Sequence, residues 1–161
     1  MSDLTQLAKL KSLAAVHLGG CEKIVDLSPL RDLPITSLTI WSSGVSDLSP
    51  IAGKPIQLFN ANSCFALTDL SPLRGAPFQS YLGLEHSGVR DLTPIRDSPV
   101  GMLAYNADRL ESNWEIIRNW PLREFQCFHA IPADTLSKLR EIKTLGKIDT
   151  VPVEEYATQK R

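Results

Sequence analysis

Residues 26–30 read DLSPL, 47–51 DLSPI, 69–73 DLSPL and 91–95 DLTPI. The aspartates that open these phrases are 21, 22 and 22 residues apart, and a fainter copy, DLTQL, opens at Asp3, 23 residues before Asp26. A phrase returning at so constant a period marks a stack of similar coils, each burying its apolar side chains against its neighbours rather than against itself.

One complete unit is LPITSLTIWSSGVSDLSPIAGK, residues 33–54. Ile35, Leu38 and Ile40 fit the L-x-x-L-x-L phrase of leucine-rich repeats, in which alternate residues of a short strand enter a shared core. Val45, Leu48 and Ile51 return apolar side chains from the opposite wall. The same register places strands at Leu13, Val16 and Leu18, at Ile56, Phe59 and Ala61, and at Leu82 and Leu84, with one residue inserted after Phe78. It continues through Val100, Leu103 and Tyr105 to Leu122, Phe125 and Cys127, and Pro34, Pro55, Pro77, Pro99 and Pro121 each precede a first strand position. The fold expected is an α/β solenoid of about six turns with a parallel concave sheet and short 3₁₀ or α segments on the convex side.

Ser followed by Pro suits the start of a short helical turn, with Ser capping free N–H groups and Pro losing no useful donor. Asp26, Asp47, Asp69 and Asp91 are placed to accept backbone hydrogen bonds in the turn before it. The phrase therefore belongs to folding rather than to chemistry. In the sixth coil SNWEII stands in its place, where Ser112 and Glu115 match a capping box and Trp114 and Trp120 are expected inward. Cys21, Ser43, Cys64, Ser87 and Asp108 share a position at which a small polar side chain can satisfy backbone groups of adjacent coils.

Near the C-terminus, PADTLSKLREIKTL predicts a helix from about Pro132, with Leu136, Leu139 and Ile142 on its apolar side, then a strand near Leu145 to Ile148. This is a helical cap over the open core. The division expected is a solenoid over 1–149, with 1–12 a partial repeat and 131–149 the cap, and a surface tail over 150–161. Leu4, Leu7 and Leu10 are expected to lie exposed, under a missing neighbour.

These residues resemble bacterial leucine-rich repeats of the 22-residue class, as in internalin-type proteins with their recurring D-[IL]-S-P-L. PITSL at 34–38, the GC and SG turns and REIKTLGKID at 140–149 are similar to a subfamily of large bacterial multidomain proteins, some of them carrying kinase domains. The resemblance implies protein recognition; nothing in this chain matches a kinase domain.

Seventeen basic and eighteen acidic residues leave a formal charge of -1, which argues against nucleic acid as a partner. No apolar run approaches the roughly 20 residues that span a bilayer, so no membrane partner is expected, and the location expected is cytoplasmic. Three cysteines without CxxC spacing fit a reduced compartment.

Parallel strands about 4.8 Å apart bring equivalent outward residues into rows across the concave sheet. The first row is Ala15, Ser37, Leu58, Tyr81, Met102 and Glu124; the second His17, Thr39, Asn60, Gly83, Ala104 and Gln126; the third Gly19, Trp41, Asn62, Glu85, Asn106 and Phe128. A face mixing aromatic with amide side chains suits a protein or peptide partner. The partner-binding residues read from it are His17, Trp41, Asn60, Asn62, Tyr81, Glu85, Met102, Asn106, Gln126 and Phe128. The alternative is a structural spacer or capping element with no ligand. No cofactor is expected, and no metal: His86 and His129 belong to coils four and six, roughly 10 Å apart by strand spacing, too far for one zinc ion. No catalytic residue is read either, since no nucleophile has a base beside it and no phosphate-cradling loop occurs.

Overall fold

In the computed structural model, which describes residues 3–156, each copy of the repeated phrase folds into the same local turn. The Oδ1 atoms of Asp26 and Asp47 accept the N–H of Ser28 and Ser49 at 2.7 Å, and those of Asp69 and Asp91 accept the N–H of Ser71 and Thr93 at 2.8 Å. Asp3 does the same for Thr5 at 2.8 Å, so the faint first copy is a true repeat. A 3₁₀ turn follows each time, at Ser28–Leu30, Ser49–Ile51, Ser71–Leu73 and Thr93–Ile95, with Pro in its first positions, and at Thr5–Lys9 without it. The aspartate is the cap. The serine, expected in that role, makes no capping bond; the Ser28 and Ser49 hydroxyls donate to the aspartates instead.

Between these turns lie the strands β1 (Ala15–His17), β2 (Ser37–Thr39), β3 (Leu58–Asn60), β4 (Tyr81–Gly83), β5 (Met102–Ala104), β6 (Glu124–Gln126), β7 (Lys147–Ile148) and β8 (Val151–Pro152). They form one sheet in chain order, parallel from β1 to β7 and antiparallel between β7 and β8. The middle residues Leu38, Phe59, Leu82, Leu103 and Phe125 stack in register and are fully buried. Leu27, Leu48, Leu70 and Leu92 meet them from the convex wall, also buried. The molecule is a leucine-rich-repeat solenoid, and among the described residues no helix is long and apolar enough to cross a membrane.

The ends depart from expectation. Leu4 is buried at 3% exposure, because the first 3₁₀ turn folds it onto the core, while Leu10 stays exposed. The convex helix α1 runs Leu110–Ile117, directly after a 3₁₀ turn at Ala107–Arg109. It starts before Ser112, whose hydroxyl donates to Arg109 O, so no capping box forms and Glu115 pairs with Arg118. Trp120 is buried as expected, but Trp114 is only partly so; the inward face at Leu110 and Ile117 is completed by Asn113. Asp108 is exposed, because the 3₁₀ turn lifts it away from the position that Ser43, Cys64 and Ser87 occupy.

The cap helix α2 spans Ala133–Leu139 and buries Leu136 and Leu139, and Lys138 reaches Glu111 on α1. Of residues 150–156, expected as a surface tail, Val151–Pro152 add the last strand and Tyr156 is buried, while Thr150, Pro152, Glu154 and Glu155 are exposed. Asp149 and Thr150 both have positive φ, 49° and 72°, forming a two-residue hairpin turn between β7 and β8. Tyr156 then buries its ring and donates to Asp149 Oδ2 at 2.8 Å. The rest of the expected tail, 157–161, and the start of the partial first repeat, 1–2, lie outside the described residues.

Candidate functional site

The register places the outward rows as the repeat period predicts. Ala15, Ser37, Leu58 and Tyr81 are successive partners, as are Met102 and Glu124, and His17 through Gln126 form an unbroken second row. His17 is exposed, and Asn60, Met102 and Gln126 are half-buried along the sheet.

Two of the aromatic side chains lie down on glycine. The Trp41 indole crosses Gly19 so closely that a Cβ on Gly19 would stand 2.0 Å from its Nε1, and the ring keeps 39% exposure. Tyr81 lies over Gly83 in the same way, with its Cε1 2.6 Å from where a Cβ would be. Its hydroxyl accepts from Asn62 Nδ2 at 3.2 Å; burial pushes the phenol pKa up, and that hydrogen bond opposes the shift. Phe128 projects furthest, at 67% exposure.

The middle of the third row, between Trp41 and Phe128, is different in kind. Asn62 and Glu85 are buried, at 8% and 0% exposure, and so are not available to a partner. Their oxygens are used inside the coil stack. Asn62 Oδ1 accepts Glu85 N–H at 2.8 Å, Asn106 Oδ1 accepts His86 N–H at 2.9 Å, and Glu85 Oε1 accepts Phe128 N–H at 2.5 Å. Buried backbone donors need such acceptors, and here strand-like outward positions supply them just beyond the strand ends. The expected binding roles of Asn62 and Glu85 are corrected on that ground.

His86 and His129 also depart from expectation. Their ring centroids are 4.9 Å apart, edge to face, although their coils are separated by a third. The intervening coil has Ala107 in that column, too small to hold the imidazoles apart, and the chain at His86 takes a left-handed φ of 57°. Backbone spacing therefore misjudges side-chain spacing. One donor atom from each of Glu85, His86 and His129 lies within 4.8 Å of the others. Cys127 is buried nearby, and its thiol is pushed up by burial, with the Glu85 carboxylate adding to the shift.

Three further residues do structural work that the repeat phrase did not disclose. Arg109 Nη1 donates to Ser87 O and Val89 O, both at 2.8 Å. Asn113 Oδ1 accepts Leu92 N–H and its Nδ2 donates to Arg90 O. Asp149 Oδ1 accepts Cys127 N–H at 2.7 Å. The spacing Leu110, Asn113, Ile117 was the available signal for the second, since it sets an amide in an inward helical stripe.

No family model matches this sequence, and no curated protein does. Among solved structures, the chain is similar to an internalin from Listeria monocytogenes, with 16% sequence identity and a TM-score of 0.45 over 91% of this chain. The chain spans 57% of that internalin's length.

Proposed function

We propose that the concave face of this solenoid holds a protein or peptide, as the recognition part of a larger bacterial protein. The observation that carries the reading is the exposure of Trp41 and Phe128 beside the strands, in a molecule that buries the middle residue of every strand from β1 to β6. Large aromatic side chains of this kind are the usual anchors of protein interfaces. Tyr81 and Met102 extend the apolar ground between them, and His17, Asn60 and Gln126 supply polar partners along the second row. An enzyme reading gains nothing from the repeat serines, since Ser28 and Ser49 donate to aspartates with no imidazole beside them, and the Cys64 thiol donates to Ile40 O.

A peptide-display library panned against the folded chain tests this. Enriched peptides are expected to bind Phe128→Asp at least about 30-fold more weakly than the parent, the loss typical of an interface hot spot. Trp41→Asp is expected to follow. If no peptide enriches, or if both variants bind as well as the parent, the concave-face reading fails and the structural-spacer reading replaces it.

A further inference from the structure

We propose that Glu85, His86 and His129 form a binding site for a divalent transition-metal ion of the zinc class, at the edge of the concave face. The inference stands apart from peptide recognition and does not depend on it. It starts from the Glu85 carboxylate. The side chain is fully buried, its Oε1 is held by Phe128 N–H, and its Oε2 has no hydrogen-bond partner among the described residues. A buried carboxylate oxygen left unmatched is costly, and a cation is one of the few groups that offset it.

The two imidazoles are where such a cation would be met. His129 Nδ1 lies 3.8 Å from Glu85 Oε1, and the donor atoms of all three side chains are mutually within 4.8 Å. Zinc bonds of 2.0–2.1 Å at tetrahedral angles put donors about 3.3 Å apart, so the set must close by about 1.5 Å at most. The half-buried His86 and exposed His129 can supply that by rotating their side chains, while Glu85 stays fixed by its backbone bond. Beside them opens a cleft of about 360 Å³, lined by both histidines with Asn106, Asp108 and Cys127, which leaves room for a water to complete the coordination.

The donor types choose the class of ion. Two neutral nitrogens with one carboxylate suit zinc, cobalt, nickel or copper, whereas calcium and magnesium favour oxygen ligands throughout. Placed there, the ion would join coil four to the segment after β6, two coils along, where Glu85 Oε1 already accepts Phe128 N–H and the two imidazoles meet edge to face.

The test is titration of the metal-stripped full chain with Zn²⁺ by calorimetry and with Co²⁺ by visible absorption. His86→Ala, His129→Ala and Glu85→Gln are compared with His17→Ala, a histidine outside the cluster. One ion per chain is expected, with affinity lowered at least about tenfold by each of the first two substitutions, since even second-layer changes at metal sites cost about 10 to 100-fold. His17→Ala should bind as the parent does, Mg²⁺ should give no heat, and Zn²⁺ should raise the melting temperature of the parent but not of His86→Ala. Glu85→Gln keeps an acceptor for Phe128 N–H and should weaken binding; if it does not fold, the two histidine variants decide alone. No binding to the parent would overturn the proposal, as would binding that His86→Ala and His129→Ala leave unchanged or that His17→Ala weakens equally.

Discussion

The coils from Asp26 to Ile95 and those from Arg96 to Tyr156 make the same sheet by different means. In the first region backbone makes the junctions behind the turns, where Gly44 N–H donates to Ile24 O and Gly88 N–H to Cys64 O, with Lys54 Nζ donating to Arg31 O and Leu33 O and Asn62 Oδ1 accepting Glu85 N–H, while each convex turn is closed by its own aspartate. In the second, backbone bonds such as Gly146 N–H to Arg123 O persist, but side chains replace them where the glycine position is lost. Arg109, one repeat after Gly88, reaches back to Ser87 O and Val89 O; Asn113 serves Leu92 and Arg90; Trp120 Nε1 donates to Arg96 O at 3.0 Å. A repeat whose bonds are local can be copied indefinitely. Once the phrase is lost, the same unsatisfied groups remain and irreplaceable residues must meet them.

The largest expected effect lies in the regular region, where no specific side chain stands out but all share one core. Leu48 is buried at 1% exposure between coils. Leu48→Asp places an uncompensated charge there, at a cost of roughly 3 to 5 kcal/mol, a large part of the total stability of a typical domain. Urea denaturation should show the midpoint collapse or the folded baseline vanish. An unchanged midpoint would break the claim that the repeat register defines the core.

The contrast between regions also explains what could be read in advance. Period alone located the strands, the convex leucines and the outward rows, because a backbone repeat forces each residue to the place of its counterpart. It misled where side chains act singly. Ser112 resembled a cap only because the helix start at Leu110 was invisible, and Glu85 looked like an exposed face residue because its counterpart Trp41 is one. The meeting of His86 with His129 depends on Ala107 leaving space between them, a matter of side-chain volume that strand spacing does not contain. The Asp149–Thr150 turn likewise carries no Asn-Gly signature, so the hairpin into β8 passed as tail.

A middle-sized effect sharpens the comparison in the irregular region. Asn113→Ala removes the acceptor of the buried Leu92 N–H, at about 1 to 3 kcal/mol, and one donor to Arg90 O, which keeps the Tyr105 hydroxyl. Ser112→Ala, one residue earlier on the exposed side, should fall within about 0.5 kcal/mol of the parent. Chemical denaturation of the two variants side by side checks this; equal losses would mean that α1 is held by its apolar face alone. Ser43→Ala in the regular region should cost less than Asn113→Ala, since the 3.5 Å contact from Ser43 Oγ to Val45 N–H is long and the backbone bond at Gly44 remains.

The smallest effect concerns the aspartate turns. The carboxyls of Asp26, Asp69 and Asp91 are held below the usual aspartate range: for Asp26 chiefly by the Ser28 backbone N–H, and for Asp69 and Asp91 first by the hydroxyls of Ser71 and Thr93. Asp3 is lowered likewise by Thr5. A group whose pKa is lower folded than unfolded binds fewer protons in the folded state, so its contribution is present above the unfolded value near 3.8 and is lost as pH falls through the folded value. Melting temperature should therefore be flat from about pH 7 to 5 as far as these groups are concerned and decline below about pH 4. The triple variant Asp26→Asn, Asp69→Asn, Asp91→Asn should melt lower at pH 7 and show a shallower decline in acid, because the side-chain amide oxygen can still accept the N–H but no longer titrates. These carboxylates are nearly fully exposed and screened by water, which keeps the effect below that of either buried substitution. An acid decline as steep in the triple variant as in the parent would show that the regular turns do not carry the pH dependence.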